Sequence, residues 1–240
     1  MIPFLLIVVG AAALLAAWWL LRGMGPGARV GRILAVTRVV PVAEAVAAAA
    51  AAGATPRYVG VRGRVDSADD WEDEDHRPLV LRRQRLELRR GAGWAAFEDE
   101  RRVVPFDISE GLDRIGVDGD ALDEGLVVVT RESVGTAGDL GSRVPPGTDP
   151  STPARLRIEL LSSVDHALVL GVPTMDPERG AILRPGLGRP LVLTNLEARE
   201  AIRLLGQGRR GTTRTISGLL GVGAAAVLAG IAWVVVDALV

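Results

Sequence analysis

The run Asp69-Asp70-Trp71-Glu72-Asp73-Glu74-Asp75-His76 concentrates carboxylates and an imidazole in one short stretch, and an arginine-rich segment follows it to Arg90. Carboxylates at that density can ligate a hard cation. A calcium loop, however, needs ligands at alternate positions, a central glycine and a later bidentate glutamate, and this run has none of that spacing. A catalytic zinc needs nitrogen or sulfur ligands, and the chain has 2 histidines, His76 and His166, far apart in sequence. Cysteine is absent, which excludes disulfides, thiol nucleophiles and cysteine-held zinc or iron–sulfur clusters. All 28 basic residues are arginine, which excludes a Schiff-base or P-loop lysine. Neither histidine sits near a Gly-x-Ser-x-Gly elbow. No catalytic residue, metal ligand or cofactor is assigned.

The arginines of "LRRQRLELRR" could mark a nucleic-acid face, but no aromatic residues are interleaved to stack bases, and the formal net charge is −1. No nucleic-acid partner is expected. If the segment is a strand, Leu79 and Leu81 point to one face and Leu86 and Leu88 to the other. That parity change predicts a bulge near Arg82–Gln84. The arginines are expected to pair with Glu98, Asp99 and Glu100 across a hairpin that turns at Gly91–Gly93.

The elements that must position these residues are short runs rich in Val, Leu and Ile, separated by Gly, Pro and acidic turns, from "RYVGVRGRV" to "PLVLT". They predict a mainly β domain over residues 57–205, a small barrel or sandwich with one C-terminal helix, "LEAREAIRLLGQG", capped by Asn195. Residues 134–153 read as an irregular loop. "PVAEAVAAAAAA" reads as a helix forming a stalk or leaning on the domain, within a basic juxtamembrane segment over 22–56.

Two uncharged runs bracket this domain, over 2–21 and 216–236, each about 30 Å long as a helix and so long enough to span a bilayer. Arginines on the inner flanks, among them Arg22, Arg38, Arg199 and Arg203, outnumber those outside nine to none. The positive-inside rule then predicts an integral membrane protein with a cytoplasmic soluble domain between two transmembrane α-helices, the second preceded by a basic linker over 206–215. Arg29, Arg32, Arg209, Arg210 and Arg214 become candidates for contact with anionic membrane lipid headgroups. Gly221, Ala225 and Ala229 form a small-residue ridge that could meet Gly10, Ala13 and Ala17, or support a homo-oligomer through the spans. Arginine-only, alanine-rich usage suggests a genome of high G+C content, and a prokaryotic membrane is expected.

The order of these features resembles the membrane half of the mitochondrial outer-membrane E3 ubiquitin ligase family, whose β-rich part is the GIDE or BAM (beside a membrane) domain. The residues that carry the resemblance are "VGVRGRV" (59–65), "RRQRLELRRGAGW" (82–94), "RRVVPFDI" (101–108), and "ARLRIELLSSVDHALVLGVP" with "GAILRP" after it. The resemblance covers about residues 58–205. It implies a membrane-side β domain and, through the eukaryotic members, an E3-type function. Those members continue into a zinc-binding, cysteine-rich RING, whereas this sequence has no cysteine, and about Leu79 stands where the family usually has one. The expected function is therefore a non-catalytic membrane protein that presents a BAM-type domain to an unidentified protein partner. The alternatives are an E3-like component relying on a separate RING protein, and an anionic-lipid-sensing module.

Overall fold

The structure is a computed structural model that describes residues 2–22, 26–51, 53, 55–91, 93–123, 125–207, 218, 220–227, 229, 230 and 232. The helices are α1 (Ile2–Arg22), α2 (Pro26–Val36), α3 (Val42–Ala50) and α4 (Ala198–Gln207). The strands are β1 (Val39–Val40), β2 (Val59–Asp66), β3 (Trp71–Glu72), β4 (Pro78–Arg90), β5 (Gly93–Val103), β6 (Phe106–Glu110), β7 (Asp113–Val117), β8 (Leu126–Val127), β9 (Thr130–Thr136), β10 (Pro153–Ser162), β11 (His166–Asp176), β12 (Gly180–Arg184) and β13 (Val192–Thr194). The chain forms two compact units, residues 33–201 and residues 1–32 with 202–240.

The larger unit is mainly β, and its centre is a closed barrel. β2 pairs antiparallel with β6, and β6 with β7. β7 runs parallel to β12, which pairs antiparallel with β11, and β11 returns antiparallel to β2. In chain order the barrel strands therefore lie first, second, third, fifth, fourth and back to first, which is the connectivity of an OB-type barrel. Alternation on β2 places Val61 and Val65 inside and Arg62, Arg64 and Asp66 outside. Ile108, Ile115, Val117, Val169 and Leu183 fill the same core. Gly63 is where β2 passes β6 most closely, since a Cβ there would collide with the Ser109 carbonyl.

Two connections of the barrel are long, and together they make a second sheet. Residues 67–105 contribute β3, β4 and β5, and residues 118–165 contribute β9 and β10. β4 is central, with β5 on one edge and β10 on the other, and β9 lies beyond β10. The hairpin about Gly91–Gly93 forms as expected. The bulge does not fall at Arg82–Gln84: the β4–β5 register shifts between Leu86 and Glu87. The parity change has another cause. Leu81 packs into the barrel core on one face, whereas Leu88 packs on the other face with Ala137, Ala154 and Phe97. Each end of this long strand is buried by a different neighbour.

Of the two placements expected for the alanine helix, the second holds: α3 leans on the domain, with Val42 and Ala45 in the barrel core and the Val42 N–H donating to Glu110 at 2.9 Å. Two other local expectations change. Residues 134–153 are ordered locally by the end of β9 and a 3₁₀ segment, Ala137–Arg143, whose capping box joins Thr136 and Asp139. Asn195 does not cap α4, which begins at Ala198; its side chain instead donates to Asp165 at 3.2 Å.

The expected pair of membrane spans does not stand. Among the described residues no helix is long and apolar enough to cross a membrane. Much of 216–236 lies outside the described residues. The integral-membrane location, and the cytoplasmic placement derived from it, are corrected accordingly.

Candidate functional site

The acidic run is a tight hairpin between β3 and β4. Asp73 Oδ1 accepts the N–H groups of Asp75 and Arg77, each at 2.9 Å, and Asp73 Oδ2 accepts Arg77 Nη2 at 2.6 Å. These bonds, the Arg77 N–H first, hold the Asp73 carboxyl below the usual carboxylate range. Arg77 also reaches Asp75 at 2.6 Å, and Asp70 accepts the Ser163 hydroxyl at 2.5 Å. Asp73 and Asp75 thus converge on Arg77, while Asp70 serves Ser163 and Glu72 faces His76. Among the described residues no group of three or more His, Asp or Glu side chains is placed to hold a metal ion.

The second sheet distributes its arginines over both faces. On one face Arg83 makes a bidentate pair with Asp99 at 2.9 and 2.7 Å, and Arg85 reaches the same carboxylate at 3.0 Å. The Arg83 bond is the main reason the Asp99 carboxyl falls to about 2. Farther along, buried Glu87 pairs with Arg155, which also meets Glu132 at 3.4 Å and stacks 4.5 Å from the Trp94 ring centre. Arg101 donates to the Gly119 carbonyl, and its burial together with the nearby Arg83 lowers its pKa. Of the three acidic residues expected to serve these arginines, Asp99 does so. Glu98 is taken by Arg143.

The opposite face is different in kind. Arg82 stands directly across from Arg102, and Gln84 across from Glu100. Arg82 Nη2 donates to Gln84 Oε1 at 2.9 Å. The Arg102 guanidinium lies 4.1 Å from the centre of the Trp71 ring, supplied by the acidic hairpin. A pocket of about 170 Å³ is lined by Trp71, Arg82, Gln84, Glu100 and Arg102. Nothing in the sequence marks this group, because Trp71 sits among carboxylates and the register across the hairpin is set by a bulge.

On the barrel, OB-type ligand binding would use the outer face of the second and third strands. Here Arg179 lies across that face, donating to the Val117 and Phe106 carbonyls at 3.2 and 3.4 Å. Asp107, whose pKa is raised by burial, stands beside it and is paired in register with Asp66. Asp66 and Asp107 thus share this face with Arg179 and Arg114, so it is mixed in charge and not the uniformly cationic groove that tracks a nucleic-acid backbone.

A larger opening, about 500 Å³, lies between α3 and the end of β11. Ala45, Ala48 and Ala49 form one wall, and Val172, Pro173 and Met175 another. Alanine explains the space, because a helix packed on a sheet through methyl groups leaves unfilled the volume that longer side chains would occupy. Glu44 and Arg57 bring polar groups to the same pocket.

Of the residues expected to contact headgroups, Arg29 and Arg32 lie on α2, and Arg209, Arg210 and Arg214 lie outside the described residues. The small-residue seam forms in a different register. A Cβ on Gly10 would press against the Gly223 carbonyl and Val227, whereas one on Gly221 would meet open space. Gly221, Ala225 and Ala229 are exposed, while Gly223 and Gly230 are buried. Ala17 is buried on α1.

Comparison with models of known protein families, with curated proteins and with solved structures finds no match. Architecture and side-chain geometry therefore carry the functional argument.

Proposed function

We propose that this chain is a non-catalytic interaction protein whose β-rich domain, of GIDE/BAM type, holds an apolar segment of a protein partner in the pocket between α3 and β11. The observation that carries this reading is an opening of about 500 Å³ walled by alanine, valine, proline and methionine. That volume lies in the range of ligand-binding clefts and suits a few large apolar side chains. Glu44 and Arg57 supply an acceptor and donors for a bound peptide backbone. An E3-like role in a ubiquitin-type pathway rests on the family resemblance alone and requires a separate RING-bearing partner.

A photo-crosslinking residue at Ala48 in the full chain tests the reading in cells. The expected result is crosslinks to an apolar segment of one protein, abolished when Ala49→Trp fills the pocket and leaves thermal unfolding unchanged. Crosslinks that map only onto this chain, or that survive the filled pocket, overturn it.

A further inference from the structure

We propose that Arg82 and Arg102, with Trp71 and Gln84, form a binding site for a phosphate-class oxyanion on the second sheet, separate from the pocket beside α3. Like charges placed directly opposite each other across a strand pair are destabilising unless something neutralises them. The chain supplies that neutralisation on the other face, where Arg83 faces Arg101 in the adjoining rung and has Asp99 at 2.7 Å and Asp123 at 3.6 Å. Arg82 and Arg102 receive no such partner. Their contacts are a neutral amide at 2.9 Å and an aromatic face at 4.1 Å; Asp73 and Asp75, which line a neighbouring pocket with Arg82, are paired with Arg77.

The geometry favours a tetrahedral anion over a carboxylate. Each guanidinium offers a fork of parallel N–H groups, and one carboxylate edge satisfies a single fork. Two forks from neighbouring strands call for an ion with three or four acceptor oxygens. Stacking on Trp71 fixes the plane of Arg102 while leaving its edge free, and the Gln84 amide adds a donor. The pocket, about 170 Å³, admits a phosphate with water around it. Glu100 lines the same pocket and opposes an anion, so it restrains affinity and gives the proposal a test of sign.

The probes are inorganic phosphate, O-phosphoserine and acetate, titrated into the full chain by calorimetry and by Trp fluorescence. Phosphate is expected to bind more tightly than acetate. Arg82→Gln or Arg102→Gln should weaken it by about tenfold or more, as loss of a charge-assisted fork does. Glu100→Gln should tighten it, and Arg114→Gln on the barrel should leave it unchanged. Tighter binding of O-phosphoserine than of phosphate assigns the source to a phosphorylated group, and the reverse order assigns it to the free ion. The proposal fails if phosphate binds no better than acetate, if the arginine variants bind as the parent does, or if Glu100→Gln weakens binding.

Discussion

In adjoining rungs of the β4–β5 pair, two arginines meet across the strands, Arg83 with Arg101 on one face and Arg82 with Arg102 on the other. The first pair is embedded in carboxylates and carbonyls: Asp99 and Asp123 serve Arg83, and Gly119 serves Arg101. Farther along that face Glu87, Arg155, Glu132 and Arg157 continue the alternation of sign. The second pair rests on an indole and an amide. Identical side chains in near-identical backbone geometry are thus structural on one face and available on the other. The difference lies in what the surrounding loops deliver, the 118–125 segment to the first face and the acidic hairpin's Trp71 to the second.

Substitutions that remove a carboxylate from the quenched face should have the largest effects. Glu87 has 8% of its side chain exposed and Arg155 18%, so Glu87→Ala leaves a mostly buried guanidinium with Glu132 at 3.4 Å as its remaining carboxylate and should cost about 3 kcal/mol in chemical denaturation. A loss of a few tenths would mean that the pair is solvated and would erase the contrast between the faces. Asp99→Asn should cost less, on the order of 1 kcal/mol at neutral pH, because 37% of Asp99 is exposed and screening discounts its two arginine partners.

The pH dependence of that loss has a definite sign. The Asp99 carboxyl is lowered from 3.8 to about 2 by folding. Its contribution is therefore complete above about pH 4 and disappears as pH falls toward about 2. Unfolding curves of the parent and Asp99→Asn should converge over that window; a gap that persists at its acid end would place the effect elsewhere.

Smaller changes belong to the open face. Trp71→Ala should lower stability by about 0.5–1 kcal/mol through loss of the cation–π contact with Arg102. Arg82→Gln should fall within about 0.5 kcal/mol of the parent or slightly above it, since it relieves a like-charge rung. A loss well beyond that range would make Arg82 structural and unite the two faces in one role.

Part of this arrangement is visible in the sequence. Alternation in "RYVGVRGRV" gives β2 its inner Val61 and Val65, and "GAG" between two strand-like runs marks the hairpin turn. The contents of the acidic run exclude a calcium loop before any fold is known. The pairing of charges was not legible, because it depends on a single bulge. An unbroken register from Arg90–Gly93 would set Arg83 against Glu100 and Arg85 against Glu98, the opposite-charge rungs the composition suggests. The shift at Leu86/Glu87 replaces them with Arg83–Arg101, Arg85–Asp99 and Arg82–Arg102. Likewise Gly10 approaches Gly223 and not Gly221, because which small residue turns toward α1 depends on how the two segments meet.

The sequence by itself determined the chemistry within reach: no thiol, no lysine amine, arginine as the sole permanent cation, and short strands able to bury Val, Leu and Ile on alternating faces. Only the tertiary structure decided that the strands close into a barrel, that two long connections build a second sheet, and which arginines the carboxylates reach. Alternation is a local property read along one strand. Register and neutralisation depend on segments far apart in the chain, brought together by barrel closure.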